Sequence, residues 1–248
     1  MNALSAELGT RGLDWLVPQW PAPPRVRALM STRRGAGGTC MDVSTRAPQS
    51  PEAQASRAYL EALCGRPIAW LDQVHGNTVV EPQNAATRPA ADALVLHSAG
   101  LAGAVQTADC LPVLLCDREG NCVAAAHAGW RGLAAGVLEA TVTAMRCPPE
   151  QILAWMGVAI GPAAFEVGDE VRGAFLAKDA RAGACFLPVS PGKWLADLYG
   201  LARQRLAMAG VGAIYGGGDC SFSDPARFYS HRRSQDRGRM AALIWLEL

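Results

Sequence analysis

Four short apolar runs follow one another at residues 93–96, 102–106, 113–116 and 123–126, each closed by turn-forming residues. Runs this short and this apolar must satisfy their backbone polar groups in a sheet, so the middle third predicts closely packed strands. Residues 26–32 read as another strand, ended by the Gly35, Gly37, Gly38 cluster, and residues 51–63 read as a helix opening on Pro51. Residues 68–74 predict a strand running into His75 and Gly76. Residues 129–145 have amphipathic helical spacing, and residues 152–160 predict a buried strand stopped by Gly161 and Pro162. Helices near 169–177 and 194–209, then strands at 213–215, 228–231 and 240–245, complete the pattern. Clustered strands with irregularly inserted helices favour a mixed α+β fold over strict βαβ winding.

The chain has 248 residues, half of them hydrophobic, enough for one large core. No Pro/Gly/Ser-rich linker or charge run divides it. The richest proline stretch, residues 18–24, lies too near the N-terminus to separate two folded units. Residues 1–25 are therefore read as an N-terminal extension and 26–248 as one domain. With 23 basic and 22 acidic residues, no global field draws the chain to nucleic acid or an anionic membrane. Residues 1–17 lack the apolar run of a secretory signal, and no stretch reaches the roughly 20 apolar residues of a membrane span. A cytoplasmic location is expected, where the eight cysteines stay as thiols or bind metal. Cys64, Cys116, Cys122 and Cys185 sit among apolar neighbours and are expected in the core.

The four histidines can be judged one at a time. His97 stands in a loop-like segment and is expected at the surface. His75 and His127 each close an apolar run and are followed by glycine or by Ala128-Gly129, a setting suited to a metal ligand facing a pocket and equally to a satisfied core histidine. Cys110 lies where polar residues interrupt two apolar runs. Two imidazoles and a thiolate suit Zn2+, and three protein ligands leave the open fourth position of a catalytic site. No C-x2-C or H-E-x-x-H motif is present, and a metal-free Cys/His nucleophile pair explains the same residues. Arg33, beside the glycine cluster, and Arg57, on the following helix, are placed to reach an anion such as phosphate. Arg131, Arg232 and Arg233 are expected to be structural or solvated. The Gly216-Gly217-Gly218 run matches neither a P-loop nor a dinucleotide fingerprint.

Three segments, Asp72-Gln73-Val74-His75-Gly76, Thr107-Ala108-Asp109-Cys110-Leu111-Pro112-Val113 and His127-Ala128-Gly129-Trp130-Arg131-Gly132, closely resemble the bacterial YfiH or laccase-domain family. The likeness continues through residues 157–171 and 219–243. It implies a single-domain layered sandwich of mixed β-sheets flanked by helices, with zinc held by His75, Cys110 and His127. Members of the family have been labelled multicopper polyphenol oxidase, peptidoglycan editing factor and purine nucleoside phosphorylase with adenosine deaminase activity. Four coppers need roughly ten histidines, more than this chain has, so the four-copper label fails by counting. The resemblance thus implies phosphorolysis of adenosine, inosine or S-methyl-5′-thioadenosine. Purine nucleosides and phosphate are the expected partners, Arg33 and Arg57 the phosphate or substrate contacts, and Asp109 a residue that orients a ligand or moves a proton. The sequence is silent on oligomeric state and leaves a homodimer open. The rival functions are a metal-free Cys/His hydrolase of peptidoglycan-precursor amides and a non-catalytic nucleoside-binding protein. This chain departs from the family at Ala163 and Ala164, where members often carry a cysteine, and at Ser56, where an asparagine commonly precedes the arginine.

Overall fold

Strands buried on both faces read as continuous apolar runs, and those of the middle third are buried along their whole length. The computed structural model describes residues 3–45, 50–235 and 237–248. Among these the larger sheet orders six strands as β12 (Ala213–Gly216), β8 (Ile152–Met156), β6 (Leu111–Asp117), β7 (Val123–Ala128), β4 (Ala93–Leu96) and β3 (Val79–Val80). A second sheet orders β1 (Val26–Met30), β13 (Met240–Leu246), β5 (Ala102–Thr107) and β2 (Ile68–Ala69). Both are mixed: β12 runs parallel to β8, β3 to β4 and β2 to β5, and the other pairs are antiparallel. A small antiparallel sheet joins β10 (Phe186–Ser190), β11 (Lys193–Ala196) and β9 (Glu166–Gly168).

Alternation along each strand divides its side chains between two cores. Leu114 and Cys116 of β6 enter the layer between the two large sheets, with Leu153 and Trp155 of β8, Val105 of β5 and Ile244 of β13. The alternate residues Leu111, Val113 and Leu115 face α3 (Trp130–Ala135), α4 (Val137–Ala144) and α6 (Leu198–Met208), meeting Leu133, Val137, Leu138 and Leu206. Leu29, Ala104, Leu243 and Trp245 line the outer face of the second sheet, under Leu4 and Leu8 of α1 (Ala3–Thr10) and Leu60 of α2 (Pro51–Cys64). The layers run helix, sheet, sheet, helix, which is the α+β sandwich of mixed sheets expected above. The segment before Val26 contributes to it: Leu13 and Trp15 are buried with α1, and Leu16 bridges to Met30.

Several boundaries differ from the sequence reading for local reasons. The helix expected over 129–145 is two helices, because Gly136 adopts φ +97° between α3 and α4. The segment 194–209 opens as β11, and α6 begins only after Asp197, whose carboxylate caps the Gly200 amide. The strand expected at 68–74 stops at Ala69, freeing the chain to turn toward His75. The strand expected at 152–160 ends at Met156. Residues 228–231 are not a strand, and Ser230 instead caps the short helix α7 (His231–Ser234), which follows α5 (Asp169–Leu176) in chain order. Alpha-helix α1 and strands β3, β9 and β10 carried too little periodicity to be anticipated.

The two large sheets pack tightly at Gly103, where a Cβ would stand 2.2 Å from Cδ1 of the wholly buried Leu94. Gly103→Ala is therefore expected to lose about 1–3 kcal/mol through overpacking. The loss would appear as a lower urea midpoint at unchanged slope.

Candidate metal centre

The site forms where the chain crosses between the two large sheets. Strand β5 of one leads through Ala108, Asp109 and Cys110 into β6 of the other, and Asp109 takes φ +87° to make the crossing. Beside β6, His127 pairs in register with Pro112. His75 comes from the turn after β2, with φ +62°, left-handed backbone that a non-glycine residue adopts only when its surroundings impose it. Together His75, Cys110 and His127 place their ligand atoms within 4.8 Å of one another. The two imidazoles meet edge to face at 4.8 Å, and Cys110 Sγ lies 3.8 Å from His75 Nε2.

What imposes this geometry is Asp92, wholly buried at the start of the β4 run. Its Oδ1 accepts from His127 Nδ1 at 2.8 Å and from the His75 amide at 2.9 Å. Its Oδ2 accepts from the Gly76 amide at 2.6 Å and the Val74 amide at 3.2 Å, and its carbonyl accepts the His127 amide at 2.7 Å. Three successive amides thus form a nest around one carboxylate that also orients the second imidazole. Burial pushes the Asp92 carboxyl up, but the hydrogen bonds from His127, Gly76 and His75 outweigh it and hold the group below the ordinary carboxylate range. Burial likewise opposes ionisation of Cys110, yet the charge and hydrogen bonds of His127 and His75 bring its thiol down to about 6. The same thiolate, with Asp92, carries His127 up to about 9 against its burial. A thiolate beside two imidazoles, one with Nδ1 fixed by a carboxylate, is a donor set that fits a divalent cation such as zinc.

The glycines after His127 are required by contact. A Cβ on Gly129 would lie 2.9 Å from Cys110 Sγ and 3.1 Å from His75 Cδ2, and one on Gly132 would lie 2.6 Å from the Gly76 carbonyl oxygen. The three donors open on a cavity of about 320 Å³, within the range of small-molecule sites. Arg131, Arg239, His231 and Asp72 are among the residues that line it.

The remaining expected site residues lie elsewhere. Arg33 donates to the Pro225 carbonyl at 3.0 Å and stacks 4.8 Å above Tyr229, while Arg57 donates to the Ser44 carbonyl at 2.5 Å. Neither lines the cavity; backbone carbonyls engage the guanidinium groups that the sequence offered to an anion. Asp109 takes Ser221 Oγ at 2.6 Å and the Arg232 amide at 2.7 Å, so its carboxylate anchors the loop and helix that carry His231, and the orienting part expected of it falls to Asp92. Gly217 and Gly218 line a separate cavity with Cys220. Cys64, Cys116, Cys122 and Cys185 are buried, as expected, and all eight cysteines are free thiols. No described helix is long and apolar enough to cross a membrane. The sequence does carry one sign of Asp92: it is a lone carboxylate inside the apolar run Ala90-Ala91-Asp92-Ala93-Leu94.

Two substitutions test this geometry. Asp92→Asn is expected to weaken metal affinity about 10- to 100-fold, measured by competition with a chromophoric chelator. Gly129→Ala is expected to weaken it as well, because the added Cβ would press on Cys110 Sγ.

The family model described as multi-copper polyphenol oxidoreductase laccase matches residues 36–247. A Pseudomonas aeruginosa protein named purine nucleoside phosphorylase PA4543 is 52% identical over 240 residues, covering 94% of this chain and 98% of that one. Escherichia coli (strain K12) has a protein named purine nucleoside phosphorylase YfiH that is 49% identical over 247 residues, covering 93% and 98%. The crystal structure of Neisseria meningitidis protein NMB0706 superposes with a TM-score of 0.91 at 45% identity, covering 95% of this chain and all of that one. The chain therefore belongs to the multi-copper polyphenol oxidoreductase laccase family, and its likeness to YfiH proteins runs through the sheets and helices that assemble the His75, Cys110 and His127 cluster.

Proposed function

We propose that this protein is a zinc-dependent purine nucleoside phosphorylase that also deaminates adenosine. The carrying observation is that three metal-ligating side chains converge at a cavity with arginines in its wall. The names of the relatives supply the reaction class. In phosphorolysis a phosphate oxygen bonds to C1′ of the ribose, the C1′–N9 bond breaks, and the purine leaves with the electron pair and takes a proton. In deamination water replaces the 6-amino group and ammonia leaves.

His75, Cys110 and His127 would hold the zinc, which would supply Lewis-acid chemistry at the cavity. Asp92 keeps the His127 ring turned so that Nε2 is the nitrogen available to the metal. Arg131 has its guanidinium 4.5 Å above the Trp130 ring, and among the described residues no carboxylate pairs with it. Arg239 is oriented by donating to the carbonyls of Arg237 and Gly238. These two forked donors, with His231, take the phosphate role first expected of Arg33 and Arg57. Zinc is favoured over a blue-copper assignment of the same His2Cys set because, among the described residues, no methionine lines the cavity to act as the weak axial ligand.

Protein purified without added metal should contain close to one zinc per chain. Adenosine with phosphate should yield adenine and ribose 1-phosphate, and adenosine alone should yield inosine and ammonia. His75→Ala should lose the zinc and both activities. Full activity without metal would overturn the zinc assignment and favour a metal-free Cys110/His site, and a metal-loaded protein that converts no nucleoside would be a binding protein. Copper in place of zinc by elemental analysis would overturn the metal assignment.

A further inference from the structure

Thr107 closes β5 and lines the metal-site cavity together with Cys110 and His75. It is 1% exposed, and among the described residues its hydroxyl has no hydrogen-bond partner. The polar groups next to it on the same wall are in a different state. Gln73 engages both backbone groups of Gln106, donating from Nε2 to the carbonyl at 2.9 Å and accepting the amide at Oε1 at 2.8 Å. The Gln106 side chain in turn accepts from the Thr45 amide at 3.1 Å and donates to Thr45 Oγ1 at 2.8 Å. These groups satisfy one another and hold the wall rigid, and Thr107 is left out of their network.

A buried hydroxyl with no partner destabilises the empty protein, and a valine would fill the same shape without that cost. Such a group is retained where something outside the chain completes it. Thr107 is one of the residues that line the cavity, and a threonine hydroxyl can offer one donor and two acceptors to a molecule bound there.

We infer that Thr107 is a substrate-contacting specificity residue whose hydroxyl hydrogen-bonds an oxygen of the molecule bound beside Cys110. The inference rests on the nucleoside phosphorylase reading, in which both co-substrates present such oxygens, on the ribose and on the phosphate. Thr107 therefore contributes to discrimination between ligands with and without that oxygen. A site built around a hydrogen bond rejects the analogue lacking it more strongly than an apolar pocket rejects a misfit.

The test compares wild type, Thr107→Val and Thr107→Ser as full-length, zinc-loaded proteins. Valine is expected to lower kcat/KM about 10- to 100-fold, while serine stays within about threefold of wild type. With no internal hydrogen bond to lose, Thr107→Val should keep its zinc and melt at the same or a higher temperature than wild type. A rise in KM confined to phosphate assigns the contact to a phosphate oxygen. A rise confined to the nucleoside, with the valine penalty abolished for a deoxyribonucleoside, assigns it to a ribose hydroxyl. Either result supports the inference. Unchanged kcat/KM for both co-substrates in Thr107→Val would overturn it, as would loss of zinc and a lowered melting temperature, which would make the hydroxyl structural. If wild type itself converts no nucleoside, the functional reading has failed. Calorimetric titration of inosine and of phosphate onto wild type and Thr107→Val then decides the role of Thr107, equal affinities overturning it and weaker binding to the valine variant supporting it.

Discussion

One buried carboxylate holds the site together. Asp92 lies where water cannot reach it, and an ion there is tolerable only if its lone pairs are filled. Three amides and an imidazole fill them, and each of these donors belongs to a segment that carries a candidate metal ligand. The left-handed backbone of His75 and the ring orientation of His127 are therefore consequences of the same charge compensation. Neither histidine needs a neighbour in sequence to be placed.

Asp92 can do this because of where the sheets put it. Strand β4 lies beside β7 in the larger sheet, so the start of one and the end of the other meet, and the His127 amide reaches the Asp92 carbonyl across that gap. The crossover from β5 to β6 brings Cys110 to the same place from the other sheet. The cavity therefore lies at the crossover, lined by residues that belong to or flank β5, β6 and β7. Helix α3 seals one side, and the approach is close enough that only glycine fits at positions 129 and 132.

The cavity wall divides the work between groups that are satisfied internally and groups that are not. Gln73, Gln106 and Thr45 are closed on one another and serve as framework. Arg131, paired with no described carboxylate, and Thr107, whose hydroxyl has no partner among the described residues, line the cavity. Such division is what a preorganised binding site requires, since a donor already committed to a protein acceptor cannot discriminate substrates.

The sequence by itself marked most of the core strands and the α+β class, while the layering was implied only by the family resemblance. Continuous apolar runs marked β4, β5, β6, β7 and β13, Pro51 marked the start of α2, and the split between strand and helix periods marked an α+β fold. It also singled out His75, Cys110 and His127, because polar or metal-binding side chains at the ends of apolar runs stand out locally. Tertiary structure alone decided which polar residues accompany them. Arg33 and Arg57 look like anion ligands in a linear string, yet the folded chain ties them to backbone carbonyls. Arg131, Arg239 and Thr107 look unremarkable there, yet they line the cavity. Asp109 is adjacent to a ligand in sequence, and Asp92 is adjacent in space. Helical and strand periods are set over a few residues, whereas a metal site is set by contacts between segments dozens of residues apart, and only closure of the sheets brings those segments to one point.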